Sequence, residues 1–282
     1  MDNLMRKLPI GIQTFEGIRK DNYLYVDKTA LIWRMANLGK PYFLSRPRRF
    51  GKSLLISTFD AYFQGKKELF DGLAIEQLET KWEQHPVLHL DLNAKKYETA
   101  ADLIAMLNQY LEKWEAIYGD EKKDRSPEER FSYVIEQAFL KTGKNIVVLV
   151  DEYDKPMLQA IGNEELQKYY RNTLKPFYGA LKSKDGCIKL GFLTGVTKFG
   201  KVSVFSDLNN LIDISMDEQY VELCGITEKE IHDNMEEDLH ILADKQKMTY
   251  EEVCSELKEC YDGYHFVENS IGIYNPFSLL NT

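Results

Sequence analysis

Short continuous apolar runs alternate along this chain with longer stretches in which apolar residues recur every three or four positions. The runs are Tyr42-Phe43-Leu44, Val87 to Leu92, Ile146 to Val150, Cys187 to Thr194 and Leu211 to Ile214. An uninterrupted β-prone run suits a strand of a parallel sheet buried on both faces. Between them lie helical stripes: Leu54, Leu55, Phe59, Tyr62 and Phe63, stopped at Gly65, then Leu103, Leu107, Leu111 and Trp114, stopped near Gly119. Ser126, Pro127 and Glu129 form a capping box with proline at the first helical position, and Phe131, Val134, Ile135 and Ala138 supply the apolar face that follows. Leu166, Tyr170, Leu174, Phe177 and Leu181 mark another helix, with Pro176 as a place for a kink. Repeated strand-helix-strand units predict an α/β fold, a three-layer arrangement with helices on both faces of a parallel sheet.

Near residue 225 the pattern changes. Thr227 with Glu230, and Thr249 with Glu252, are two further capping boxes. Each opens an apolar stripe, Ile231, Met235, Leu239 and Leu242 for one, Val253, Leu257 and Tyr261 for the other, with no strand signal between them. The expected organisation is an α/β core over residues 1–224 with an N-terminal helical segment, and a small helical subdomain over 225–282 joined at Gly225-Ile226, which the family resemblance given below makes a lid. In the N-terminal segment, Asp27 is positioned to cap the helix carrying Leu31, Ile32 and Met35.

At 282 residues and 44% hydrophobic content the chain can bury a large core. Its net charge of −9 argues against a dedicated nucleic-acid-coating surface. Cys187, Cys224, Cys254 and Cys260 make no C-x-x-C pair, so reduced structural cysteines are expected rather than zinc or disulfides. Neither an N-terminal apolar signal core nor a run of eighteen apolar residues is present, which points to the cytoplasm and away from the membrane.

The chemistry begins where the first strand empties into Gly51-Lys52-Ser53 and then a helix. Backbone N–H groups at such a turn bind anions, the lysine adds a mobile charge for the β- and γ-phosphates, and the hydroxyl can ligate Mg²⁺. The general pattern G-x-x-x-x-G-K-[ST] fails at its first glycine, which is Arg46 here. The strand Ile146 to Val150 ends in Asp151-Glu152, as a Walker B segment does: Asp151 is a candidate for the metal and Glu152 for polarising water. The alternative is a core strand that ends in a solvated acid pair. Thr194 and Thr197 follow the next strand, where a hydroxyl could meet the γ-phosphate or simply serve a turn around Gly195. His265 reads as a structural histidine before it reads as a switch, Arg171 as a solvated charge before an arginine finger, and Tyr25 could lie beside a base.

Tyr25 to Thr29, Leu44 to Leu54, Val150 to Pro156, Thr194 to Phe199, Phe205 to Leu211, Tyr261 to Phe266 and Tyr274 to Ser278 together resemble the AAA-ATPase-like proteins of bacteria and archaea, often fused to a predicted PD-(D/E)xK nuclease domain. The resemblance spans nearly the whole chain in order. It also accounts for Arg46, because the family's loop looks like Ser-Arg-Pro-Arg-Arg-Phe-Gly-Lys-Ser. It implies a P-loop NTPase core of the additional-strand type, AAA- or STAND-like, with a helical lid. The nuclease-like domain usual after the Tyr-Asn-Pro-Phe segment is absent before Thr282, which suggests a truncation or a short member.

The reading that follows is Mg²⁺-dependent ATP binding with slow hydrolysis, coupled to lid movement and to a partner or a missing nuclease-like domain. The ATP-binding residues are Arg48, Arg49, Phe50, Gly51, Lys52, Ser53 and Leu54. Ser53 and Asp151 are the metal ligands, and Glu152, Lys52 and Thr194 the catalytic set. A homo-oligomer could supply an arginine finger, and DNA could be reached through a partner. The alternative is a non-hydrolysing, nucleotide-gated interaction switch. A nuclease is a third reading, set back by the spacing of Asp151-Glu152-Tyr153-Asp154-Lys155.

Overall fold

The computed structural model describes residues 6–198, 204–206, 208–268 and 270–282. Two residues of the family resemblance, Phe199 and Asp207, lie outside them. Five strands form one parallel sheet: β1 (Pro41–Ser45), β2 (Val87–Asp91), β3 (Ile146–Asp151), β4 (Ile188–Gly195) and β5 (Ile212–Asp213), in the order β2-β3-β4-β1-β5. β4 is therefore inserted between the strand that leads into the glycine-lysine loop and the strand that ends in the acid pair. The register carries Ser45 opposite Gly195, Val150 opposite Leu193 and Asp91 opposite Asp151, so the chemically interesting residues all gather at one carboxyl edge.

Alternation along the buried strands divides the core in two. Phe43, Val148, Val150 and Leu193 pack with the helices Ala100–Tyr118, Pro127–Thr142 and Glu164–Ser183. Tyr42, Leu44, Val147, Leu149 and Phe192 face the opposite layer, formed by Phe15–Lys20, Thr29–Leu38 and α3 (Lys52–Phe63). Because every residue of β3 is buried, its sequence shows no period-two alternation although its side chains do serve both layers. Helix Glu164–Ser183 runs through Pro176 as one element. Arg171, expected to be solvated, is half-buried with its Nε atom enclosed.

The capping boxes at Ser126, Thr227 and Thr249 form as read. Asp27 does more than cap one helix: Oδ1 accepts from the N–H and hydroxyl of Thr29, and Oδ2 accepts from the N–H of Ala74, where another short helix begins. Beyond residue 225 the helices Glu228–Gln246 and Tyr250–Tyr261 build a separate apolar cluster around Ile231, Leu239, Val253 and Leu257. Two features there escape the sequence pattern. Ile226–Thr227 and Ile273–Tyr274 (β6 and β7) pair as a two-residue antiparallel ribbon, too short for periodicity to show. Met235, assigned to a regular stripe, sits at φ −130°, ψ 21°, where the first helix breaks stride.

Arg46 explains how a loop without the usual first glycine is held. Its side chain is 1% exposed. Nη1 donates to the carbonyls of Ser45 and Ser215, at 3.0 and 2.8 Å, and Nη2 to that of Tyr220 at 3.3 Å, while the guanidinium lies 3.9 Å from the centroid of the Phe266 ring. Burial pulls its pKa down, and the carbonyls and the ring offset that cost. Arg46 thus bolts the start of the loop to two distant segments, residues 215–220 and Phe266, and does not line the cleft described below. Arg46→Gly, which restores the general pattern, should lower stability by about 2–4 kcal/mol in urea unfolding, since it strands buried carbonyls and empties the space. A loss below about 1 kcal/mol would show that the loop does not rely on this side chain.

Candidate functional site

The loop between β1 and α3 turns by means of two left-handed residues, Arg49 at φ 69° and Gly51 at φ 87°. A Cβ on Gly51 would meet nothing, so glycine is required there by backbone conformation alone. Gly51 is also the N-cap of α3 and has no side chain to satisfy the first-turn N–H groups. Those donors, with the positive end of a twelve-residue helix, are left to an external acceptor, the usual arrangement at an anion site. They open into a cleft of about 390 Å³, which Arg48, Arg49, Phe50, Ser53 and Leu54 also line.

Lys52 is 4% exposed. Its Nζ donates to the carbonyls of Arg46 and Pro47, at 3.1 and 3.2 Å, and lies 3.1 Å from Oε1 of Glu152. The loop lysine and the second acid of β3 are therefore in direct contact. Glu152 stands at φ 54°, a strained position for a residue with a side chain, which turns its carboxylate from the end of β3 into the cleft. Burial raises its pKa above the ordinary 4.5, against the opposing pull of Lys52.

Asp151 and Thr194 lie beneath this pair. The Thr194 hydroxyl donates to Oδ1 of Asp151 at 2.6 Å, and the N–H of Glu152 reaches Oγ1 of Thr194 at 3.4 Å. One wholly buried threonine on β4 thereby fixes both acids of β3. The hydroxyl and N–H of Thr197 both donate to Oδ2 of Asp154, at 2.8 Å. Gly195 is not a turn residue but the last of β4, and its missing side chain makes room for the Tyr153 ring, whose nearest carbon would lie 2.4 Å from a Cβ. His265 is exposed and its Nδ1 pairs with the Ser270 carbonyl inside its own turn.

Several contributors went unread in the sequence. The N-terminal turn around Ile10 and Ile12, with Leu24 and Val26, forms an apolar wall of the cleft beside Tyr25, which the sequence offers for a base. The C-terminal unit supplies Met235, Pro276, Phe277 and Leu280. It also grips the loop: the Phe277 ring lies 3.8 Å from the Arg49 guanidinium, the Asn275 amide donates to the Arg48 carbonyl, and Gly225 N–H donates to the carbonyl of Phe50. Cys224 lines the cleft as well, with burial pushing its thiol up to about 11. Asn93 and Lys155, just past the ends of β2 and β3, complete the polar end. The two strands end at matched register in Asp91 and Asp151, a pairing that no local sequence signal announces.

A divalent cation fits this donor set only in part. Asp151 and Ser53 offer a carboxylate and a hydroxyl, and among the described residues no group of three or more histidine, cysteine or acid side chains forms a cage. Magnesium characteristically takes only one or two protein ligands, with phosphate oxygens and water making up the rest, and so does not require such a cage. No helix among the described residues is long and apolar enough to cross a membrane.

Residues 9–205 match the family model described as predicted AAA-ATPase. The chain is also similar to the uncharacterized protein in the vnfD 5′ region of Azotobacter chroococcum mcd 1, with 40% identity over 279 residues. That alignment covers 98% of this chain and 51% of the relative, so the chain spans about half the length of the curated relative it matches. No solved structure matches it significantly. The family match covers the loop, both acids, Thr194 and four of the five strands of the parallel sheet, and on that ground the chain belongs to the AAA-ATPase-like family of predicted AAA-ATPases.

Proposed function

We propose that this protein binds Mg-ATP in the cleft at the carboxyl edge of the sheet and hydrolyses it slowly, in the cytoplasm. The observation that carries the reading is the 3.1 Å contact between Lys52 and Glu152, which joins the phosphate-loop cation to the acid at the end of β3 across the intervening β4. The insertion of β4 supports the additional-strand P-loop class. The apolar wall around Tyr25 and Leu280 suits the flat face of a base, and the N–H groups opening from Gly51 suit the phosphates.

In this reading Lys52 neutralises charge on the β- and γ-phosphates. Ser53 and Asp151 would hold the magnesium, whose contribution when bound is to offset phosphate charge. Glu152 orients a water and takes its proton as the water oxygen bonds to the γ-phosphorus; the bond to the bridging oxygen breaks, its electron pair stays on ADP, and the proton passes to the products. Thr194 is the residue that positions Asp151 and Glu152 together. The C-terminal unit acts as a lid, because Met235, Phe277 and Leu280 share the cleft with the loop, and through Asn275 and Gly225 it reports occupancy to a partner or to a nuclease-like domain in a longer chain.

Isothermal calorimetry with Mg-ATP tests the site: Lys52→Ala should abolish measurable binding, and unchanged affinity would remove the loop from the argument. Glu152→Gln should retain affinity yet lose roughly two or more orders of magnitude in turnover, trapping ATP; equal turnover would take Glu152 out of the chemistry. Tight binding with no turnover by the native chain would instead identify a nucleotide-gated switch.

Acid should also slow the reaction. Glu152 must be ionised to accept a proton, and burial holds its pKa above 4.5, so kcat should fall as pH drops through a value above that figure. The residual rate of Glu152→Gln should lack this limb, and a limb shared by both proteins would assign it elsewhere.

A further inference from the structure

Lys155 lines the same cleft as Lys52, Ser53 and Glu152, yet the reaction described above gives it no task. Its Nζ donates to Oδ1 of Asn93 at 3.0 Å. The acceptor is a neutral amide, so this contact orients the ammonium without cancelling its charge. Both supports of the pair are fixed by the sheet. The N–H of Lys155 closes a turn onto the carbonyl of Glu152 at 3.0 Å, which sets the lysine three residues past the acid. The N–H of Asn93 donates to Oδ1 of Asp91 at 2.8 Å, and Asp91 is paired in register with Asp151. Burial and the charge of Asp151 raise the pKa of Asp91, with the Asn93 N–H and the charge of Lys155 among the groups pulling the other way. The cleft consequently holds a cation from the loop, Lys52, in contact with Glu152, and a second cation, Lys155, carried three residues past that acid.

We infer that Lys155, held by Asn93, is an in-chain second cation that contacts the γ-phosphoryl group during transfer and does the work otherwise supplied by an arginine from another subunit. The inference rests on the ATPase reading and extends it. Phosphoryl transfer spreads charge over the equatorial and bridging oxygens, and a cation present only on the loop side leaves the opposite side uncompensated. Lys155 forms no covalent bond; it supplies charge, and Asn93 is its positioning residue. A cation carried within one chain makes turnover per chain independent of protein concentration.

The experiment uses the full chain, with kcat measured at saturating Mg-ATP over a wide range of protein concentration and affinity measured with a fluorescent ATP analogue. Lys155→Met should lower kcat by about a hundredfold while the dissociation constant stays within about threefold. Lys155→Arg should restore most of the rate, and Asn93→Ala should lower kcat by roughly tenfold with affinity again preserved. Native turnover per chain should stay flat with concentration. Wild-type kcat in Lys155→Met overturns the inference, as does an equal loss in Lys155→Met and Lys155→Arg, which would assign the effect to packing. Turnover that rises with concentration and does so equally in Lys155→Met would place the second charge on another subunit. Failure of the inference alone leaves ATP bound and hydrolysed by the variants; absence of any Mg-ATP binding by the native chain would be failure of the nucleotide reading itself.

Discussion

An ammonium almost wholly removed from water persists only where oxygens surround it, and that requirement at Lys52 organises the rest of the site. Its oxygens come from the carbonyls of Arg46 and Pro47 and from the carboxylate of Glu152. The first two belong to the loop after β1, the third to the end of β3, and the two strands do not touch. β4 lies between them, pairing with β1 on one side and β3 on the other, so its register decides whether the contact exists. A slip of one residue would turn every buried side chain of β4 to the wrong layer, which is why the placement is secure. Thr194 adds a local pin, since a hydroxyl on β4 holds the acids of β3.

The other buried cation of the loop, Arg46, serves architecture. Its contacts tie the loop to the segment after β5 and to Phe266, while Phe50 fills the space beneath Tyr264 and Phe266. The general phosphate-loop pattern spends a glycine at this position on backbone freedom. This chain spends an arginine on cross-linking and obtains its left-handed turns from Arg49 and Gly51. The charge cluster Arg46, Arg48, Arg49 and Lys52, which looks like one basic patch in sequence, therefore divides into a staple, two exposed side chains and a buried site lysine.

Most of the sheet was legible because its strands are buried on both faces and carry unbroken apolar runs, and the helices because capping boxes mark their starts. The acid pair was legible because Asp151-Glu152 ends such a run. What escaped depends on contacts distant in sequence. Nothing local to Asp27 announces that it caps a helix at Ala74, and nothing around Asn93 or Lys155 shows that β2 and β3 lie side by side. β6 and β7 are too short for any periodicity, and the break at Met235 lies inside a stripe that reads as regular. Arg171 is half-buried although it lies off the apolar stripe, because a stripe identifies the residues that face the core and not how far its flanks are covered.

The β6–β7 ribbon has a mechanical meaning. Residue 226 carries the chain out toward the two capped helices, and residue 274 brings it back beside the same spot, against Gly225, whose N–H holds the Phe50 carbonyl. Both crossings thus share one fulcrum, and it abuts the turn that opens toward the cleft. The helices of residues 228–261 therefore join the core beside Phe50, at the loop and not at a strand of the five-stranded sheet.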